Sequence, residues 1–441
     1  MITLKIPEQM TLEIIGDLMR EHQFAFERIG FIFTKLSLSH DGRRAIILAT
    51  GYEPVADEDY IEDQNVGARI NSRAIRNVMQ RVLTTGEGAF HVHIHDHNGV
   101  PGLSYTDRTE IRPVMQSIRN AAPMNAHGLI VLSRNAAYAE ALMPQQNVFR
   151  SASKIIAVGF RMSLLGGDFS PITDEDRFSR QTFLGPTSER DFVNYRVGIV
   201  GLGGGGSHIV QQLAHVGFLK YSIFDMDKVE RSNLNRLIGA TQKDVSNGTA
   251  KVEVASRLIR GLNENAEIEI VNSRWQDAPE FLRECDIVFG CVDSYAERRD
   301  LEIATMRYLI PYIDIGLDVH QSGGEPPRMA GQVILSMPGD LCMECLGFLT
   351  KSNLEREAER YGVAGTRPQV VWANGVLASN AVGIAIDLIT SWTRSLGGAV
   401  YLSYDSNTCV VQPHKRLQYL KDLKCPHFPL SELGSPVFKH L

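Results

Sequence analysis

The chain has 441 residues, a formal net charge of −6, 44 % hydrophobic residues and 22 % charged ones. That length suits two domains of ordinary size, and the composition is that of a globular rather than a disordered chain. Basic residues are scattered rather than striped, so neither nucleic acid nor a membrane surface is expected as a partner.

The segment Met1 to Met10 lacks the charged and then apolar layout of a secretory leader, and no apolar uncharged run of about 18 residues is seen. The six cysteines all lie beyond residue 284, too sparse for a disulfide scaffold. A reducing cytoplasm is the expected setting. The turn-rich stretch from Leu164 to Thr173 divides the chain into residues 1–155, a linker over 156–171, and residues 172–441.

In the first part, hydrophobic patterning predicts strands over Ile29–Thr34, Ala45–Ala49 and Gly88–His95, with a helix over Ser72–Leu83. In the second it predicts strands over Tyr195–Gly201, Tyr221–Phe224 and Cys285–Gly290. Helices are expected over Ser207–Val216 and about Ala250–Leu262. Strand and helix alternate there, so the fold class is α/β with a parallel, doubly wound sheet.

Gly201, Gly203 and Gly206 fit G-x-G-x-x-G between a strand and a helix, where backbone N–H groups can approach phosphates. Asp225 ends the next strand, 19 residues after Gly206, where a carboxylate accepts ribose hydroxyls. These residues alone fit a nicotinamide or flavin dehydrogenase equally well. The run Asp225-Met-Asp-Lys-Val-Glu-Arg-Ser-Asn233-Leu-Asn-Arg236 closely resembles the ThiF/MoeB and ubiquitin-activating-enzyme superfamily. Arg177-Phe-Ser-Arg180-Gln181 before it, and Lys251 and Asp293 after it, extend the resemblance over roughly residues 172–430.

The resemblance implies a Rossmann-like adenylation domain that uses ATP and Mg²⁺. Asp225 would hold the ribose, Asn233, Arg236 and Lys251 the phosphates, and Asp293 the Mg²⁺. Arg180 would reach the ATP of the other subunit of a homodimer. A carboxylate attacking the α-phosphorus needs cations to neutralise the gathering charge and hold the reacting oxygens in line.

Cys342-Met-Glu-Cys345 has the spacing of a zinc knuckle, and Cys425-Pro-His427 could supply two further ligands. Relatives tie the chain's end with two C-x-x-C pairs. Here Phe428 replaces the fourth cysteine, which makes His427 the candidate in a Cys₃His site for a structural Zn²⁺. Cys285, Cys291 and Cys409 read as packing residues, the last in a strand. Between Cys345 and Cys409 there is no cysteine, so a thioester on a crossover thiol is not available. The segment from Thr350 to Tyr361 offers only hydroxyls such as Ser352, and no base to activate one is identified.

His91-Val-His93-Ile-His95-Asp-His97 places four histidines at period two, neighbours roughly 6–7 Å apart on one face of a strand, with Val92 and Ile94 turned to the core. Ser104-Tyr-Thr-Asp107 follows, and Glu27-Arg-Ile-Gly30 precedes. These pieces resemble the JAMM/JAB metallopeptidase family over about residues 10–150, an α/β domain. The resemblance implies Zn²⁺ on His93, His95 and Asp107, with Glu27 as general base and Ser104 stabilising the oxyanion. No proline follows the H-x-H, and the loop to Ser104 is one residue longer than usual. Reading His95 and His97 as the pair makes it one shorter, so both pairs stay open, as do a metal-free strand and a site that binds without cleaving.

Together these features predict a bacterial ubiquitin-like modification enzyme. The first domain would trim or remove a modifier, and the second would adenylate its terminal carboxylate for an external nucleophile, with a conjugating enzyme as a possible partner. Adenylation of a sulfur-carrier protein or small peptide is the alternative, and a non-catalytic scaffold is a third reading.

Overall fold

The computed structural model describes residues 1–39, 41–63, 66–169, 175–320, 326–359, 369–421, 423–429 and 432–436. The chain separates into two compact units, Met1–Phe169 and Ser170–Glu432.

The first unit runs β1 (Ile2–Pro7), α1 (Glu8–Leu18), β2 (Ile29–Leu38), β3 (Ala45–Pro54), α2 (Ser72–Thr85), β4 (Gly88–Ile94) and α3 (Arg112–Ala121). It ends with β5 (His127–Leu132), β6 (Ala137–Leu142), β7 (Phe149–Ser151), β8 (Lys154–Val158) and β9 (Ser163–Gly167). One mixed sheet holds all nine strands in the order β7-β6-β5-β4-β2-β3-β1-β8-β9.

Period-two burial explains the layers. Phe90, Val92 and Ile94 of β4 pack with Ile14 and Leu18 of α1, while Ala89 packs on the other face with Val78 and Val82 of α2 and Met115 of α3. The predicted strands and helix of this unit all form. The linker expected over 156–171 does not, because β8 pairs in parallel with β1 and β9 pairs with β8. Its turn-rich composition reflects the glycines of β9, where Gly167 takes φ +135° and a Cβ would lie 2.3 Å from Ser153 O.

The second unit opens with α4 (Glu175–Phe178), α5 (Ser188–Asn194), β10 (Arg196–Val200), α6 (Gly204–Val216), β11 (Lys220–Phe224), α7 (Gln242–Asn247) and α8 (Lys251–Leu262). Next come β12 (Glu267–Val271), α9 (Pro279–Arg283), β13 (Ile287–Gly290), α10 (Tyr295–Arg307), β14 (Tyr312–His320) and β15 (Arg328–Ser336). The unit closes with α11 (Lys351–Glu359), α12 (Val371–Thr390), β16 (Val400–Asp405) and β17 (Val410–Pro413).

Its eight strands lie in the order β12-β11-β10-β13-β14-β15-β16-β17, parallel from β12 through β14 and antiparallel beyond. Strand order reverses at β10, which pairs with β11 on one side and β13 on the other, and such a switch point opens a crevice beyond the strands' C-terminal ends. Among the described residues, α12 alone is long and apolar enough to cross a membrane, with mean hydropathy 1.3. Asn374, Ala378, Ala381 and Ala385 bury one stripe of it against the unit's interior.

Candidate functional site

A cleft of about 1360 Å³ occupies that crevice, and Gly201, Gly203, Asp225, Asn233, Arg236, Lys251 and Asp293 all line it. Gly201 adopts φ +88°, and a Cβ there would press within 2.5 Å of Cys291 O, so the turn after β10 needs glycine. Gly206 does not line the cleft. A Cβ on it would lie 1.9 Å from Gly201 O, so this glycine lets α6 pack on the loop rather than admitting a phosphate.

Asp225 is held by two backbone donors, Leu202 N at 2.7 Å and Asp227 N at 2.8 Å. Burial raises its carboxyl above the usual range, and Lys251 works against that rise. Lys251 Nζ lies 2.6 Å from Asp227 Oδ2 and 3.7 Å from Asp225 Oδ1. It is the first residue of α8, where the helix dipole disfavours a cation; the neighbouring carboxylates offset this. Asn233 Oδ1 accepts from Glu230 N at 3.1 Å, and Arg236 Nη1 donates to Ser232 O at 2.8 Å and Asn235 Oδ1 at 3.0 Å. Asp293 is exposed just before α10, with Gln369 Nε2 3.4 Å from its Oδ1.

Arg180 is exposed and does not line this chain's cleft. Arg177 is a staple, its Nη2 donating to Ala214 O at 2.9 Å and its Nη1 to Leu262 O at 2.9 Å. Sequence reasoning missed the cleft's buried floor. Arg298 Nε donates to Asp314 Oδ1 at 2.9 Å, Tyr312 Oη donates to the same oxygen at 3.1 Å, and Gln332 and Asn374 complete the lining. An arginine in α10 and an asparagine in the first turn of a mostly apolar α12 were the available signals.

The cysteines of this unit divide as two groups. Cys342 Sγ is 3.7 Å from Cys345 Sγ, which is 3.7 Å from Cys425 Sγ, and His427 Nδ1 lies 3.4 and 3.3 Å from the first two. Two thiolates on a tetrahedral zinc with Zn–S of about 2.3 Å stand about 3.8 Å apart, so this donor set fits the ion. Glu344 Oε1, 3.3 Å from His427 Nε2, can orient that imidazole from behind. Cys285 is fully buried, as expected, but the other two differ from expectation. Cys291 lines the cleft, and Cys409 is exposed in the turn joining β16 and β17 at φ +59° rather than in a strand.

In the first unit the histidine run leaves the sheet at Ile94, yet its rings continue in a row with centroids 5.5, 5.0 and 6.0 Å apart. His93 Nε2 faces His95 Nε2 at 3.2 Å and Asp107 Oδ1 at 3.6 Å, and Glu27 offers a carboxylate oxygen within 4.8 Å of both imidazoles. The geometry brings together His93 and His95 rather than His95 and His97. His97 is exposed and turned to Asn98 O, while His91 is buried against Phe31 with neither ring nitrogen hydrogen-bonded.

Ser104 and Asp107 form a reciprocal pair. Ser104 N donates to Asp107 Oδ2 at 2.7 Å, and Asp107 N donates to Ser104 Oγ at 3.1 Å, the arrangement of a capping box. This leaves Asp107 Oδ1 directed at His93. Burial pushes the His93 imidazole down to about 4, keeping it neutral and able to ligate. It also raises the Glu27 carboxyl, against the pull of His95. Burial opposes ionisation of Asp107 too, but His93 and the Ser104 hydrogen bonds outweigh it and hold that carboxyl low. Among the described residues, ligand atoms of Glu27, His93 and His95 all lie within 4.8 Å of one another, a donor set that could hold a metal ion.

Comparison with known proteins bears on the second unit. A SAMP-activating enzyme E1 from Haloferax volcanii is 32 % identical over 179 residues, 40 % of this chain and 62 % of that protein, so the chain spans under two thirds of that relative's length. The molybdopterin-synthase adenylyltransferase of Escherichia coli is 29 % identical over 227 residues, 51 % of this chain and 84 % of that one. A crystal structure of E. coli MccB with ATP aligns with a TM-score of 0.45 at 21 % identity, covering 54 % of this chain and 71 % of that one. The ThiF family model matches residues 178–425, from the end of α4 to the third cysteine of the cluster, and the chain therefore belongs to the ThiF family.

Proposed function

We propose that the second unit adenylates the C-terminal carboxylate of a ubiquitin-like protein, releasing pyrophosphate from ATP. The observation that carries this reading is the gathering of Asp225, Asn233, Arg236, Lys251 and Asp293 around the N-terminus of α6 in one cleft. Asp225 would take the ribose hydroxyls. Lys251 would move from the aspartates to the phosphates, and Arg236 and Asn233 would hold them in line. Asp293 would hold Mg²⁺, which supplies charge neutralisation between phosphate oxygens. Arg180, exposed on this chain, would reach the ATP of a second copy. The carboxylate oxygen attacks the α-phosphorus and the bond to the β-phosphate oxygen breaks. The two relatives' names, a SAMP-activating enzyme and an adenylyltransferase, support this class of reaction.

The first unit, residues 1–155 with β8 and β9 added, we assign as a JAMM/JAB-type zinc metallopeptidase acting on the same modifier. His93, His95 and Asp107 would hold Zn²⁺, which polarises the scissile carbonyl. Glu27, raised by burial, would take a proton from water and return it to the leaving amine. The hydroxyl hydrogen of Ser104 would face the oxyanion, since its oxygen already accepts from Asp107 N.

One observation admits a second reading, adenylation of a sulfur-carrier protein: the crossover segment has no cysteine to receive the acyl group, so either substrate would pass to an external nucleophile. Exchange of labelled pyrophosphate into ATP, run with small proteins ending in glycine of both kinds, decides between them. Exchange with one carrier class identifies the substrate. ATP binding without exchange across the panel overturns the adenylation reading.

A further inference from the structure

The glycine run holds two glycines more than the loop spacing asks for, Gly204 and Gly205, and their surroundings explain both. A Cβ on Gly205 would meet Ile315 Cδ1 at 2.6 Å. One on Gly204 would meet Asn374 Nδ2 at 2.3 Å and Arg236 Cδ at 3.4 Å. Asn374 stands in the first turn of α12, is 5 % exposed and lines the cleft, and its Nδ2 makes no hydrogen bond. A buried amide donor without a partner costs free energy that an apolar side chain of the same shape does not. A mostly apolar helix has therefore kept a polar group whose nitrogen abuts the start of α6.

That start is an anion site by construction. The first turn of this 13-residue helix leaves N–H groups unpaired along the chain and carries the positive end of the helix dipole. Arg236 flanks Gly204 there, and Asn374 meets the same glycine, so an anion at the helix end sits within reach of a cation and a neutral donor.

We propose that Asn374 is a phosphate-orienting donor, its amide hydrogen-bonding a phosphoryl oxygen of the nucleotide seated at the N-terminus of α6. This rests on the nucleotide reading of the cleft. A neutral amide fixes the oxygen's direction without adding charge, which leaves neutralisation to Arg236 and Lys251. Gly204 is glycine because the amide needs the space its Cβ would fill.

The test measures ATP and adenosine binding by calorimetry on the full chain, with melting temperatures, for Asn374→Leu, Asn374→Ala and Asn374→Asp. Leucine keeps the branched shape without the polarity. It should raise the melting temperature, weaken ATP binding roughly ten- to a hundredfold, and leave adenosine within about twofold. Alanine should weaken ATP similarly, and aspartate more, because its charge repels the phosphate. Unchanged ATP affinity in the leucine and alanine variants, or parallel loss of ATP and adenosine, overturns the assignment of Asn374 alone. Failure of the unsubstituted chain to bind ATP overturns the nucleotide reading and this proposal with it.

Discussion

In the second unit the groups proposed for chemistry sit in a cleft of about 1360 Å³ and, apart from Asn233, are charged, with Lys251 resting on Asp225 and Asp227. In the first unit His93 and Asp107 are buried, and burial keeps the imidazole neutral. The contrast follows from the tasks. Adenylation gathers negative charge, so the cleft supplies cations, helix N–H groups and a carboxylate for metal. Metal-assisted hydrolysis needs neutral imidazoles and one proton carrier, so the first site supplies desolvation.

The comparison is broken most directly by removing a cation. Lys251→Ala should lower pyrophosphate exchange by about a hundredfold or more, roughly 3 kcal/mol, while adenosine binding holds. An equal fall for both would make Lys251 structural. Glu27→Gln should cut peptide hydrolysis by about a hundredfold or more with zinc content unchanged, since it removes the proton carrier and not a ligand. His93→Ala should release that zinc whereas His97→Ala keeps it, and metal analysis of the isolated variants reads this directly. Loss of zinc in His97→Ala with retention in His93→Ala would return the choice to His95 and His97.

A smaller effect sharpens the role of desolvation. His91 is fully buried without hydrogen bonds, and its pKa falls from 6.5 to about 3. The folded form therefore refuses a proton that the unfolded chain accepts. Its stabilising contribution is complete above pH 6.5 and is lost as pH falls towards 3. In denaturant titrations of metal-free protein, His91→Phe should flatten the acid slope in that window by up to about 1.4 kcal/mol per pH unit. An unaltered slope would mean the ring is solvated. Smaller still, Thr241→Ala removes the hydroxyl that caps α7 and should cost about 1 kcal/mol.

The second unit was the more legible of the two because its site is local. Gly201, Asp225, Asn233, Arg236 and Lys251 fall within 51 positions and are read by backbone turns and helix starts that short motifs encode. What escaped was the floor, Arg298, Gln332 and Asn374 with Asp314 buried beneath them, which tertiary packing brings in from α10, β15, α12 and β14. Gly206 was misread because a glycine needed for packing and one needed for phosphate approach look alike in sequence. In the first unit the pattern could not choose between histidine pairs. That choice depends on where β4 stops and where Asp107 returns, and Asp107 comes within 3.6 Å of His93. The linker was misplaced because glycine-rich β9 carries the composition of a loop.

The Ser104–Asp107 box joins two quantities that are usually separable. One carboxylate caps the helical run over 105–121, which leads into α3, with one oxygen and faces an imidazole with the other, so whatever occupies the metal position also reports on how firmly that run begins. Metal affinity and amide-exchange protection over residues 104–111 should therefore rise and fall together. A substitution at Ser104 that weakens the cap will masquerade as a ligand defect although Ser104 itself touches no metal.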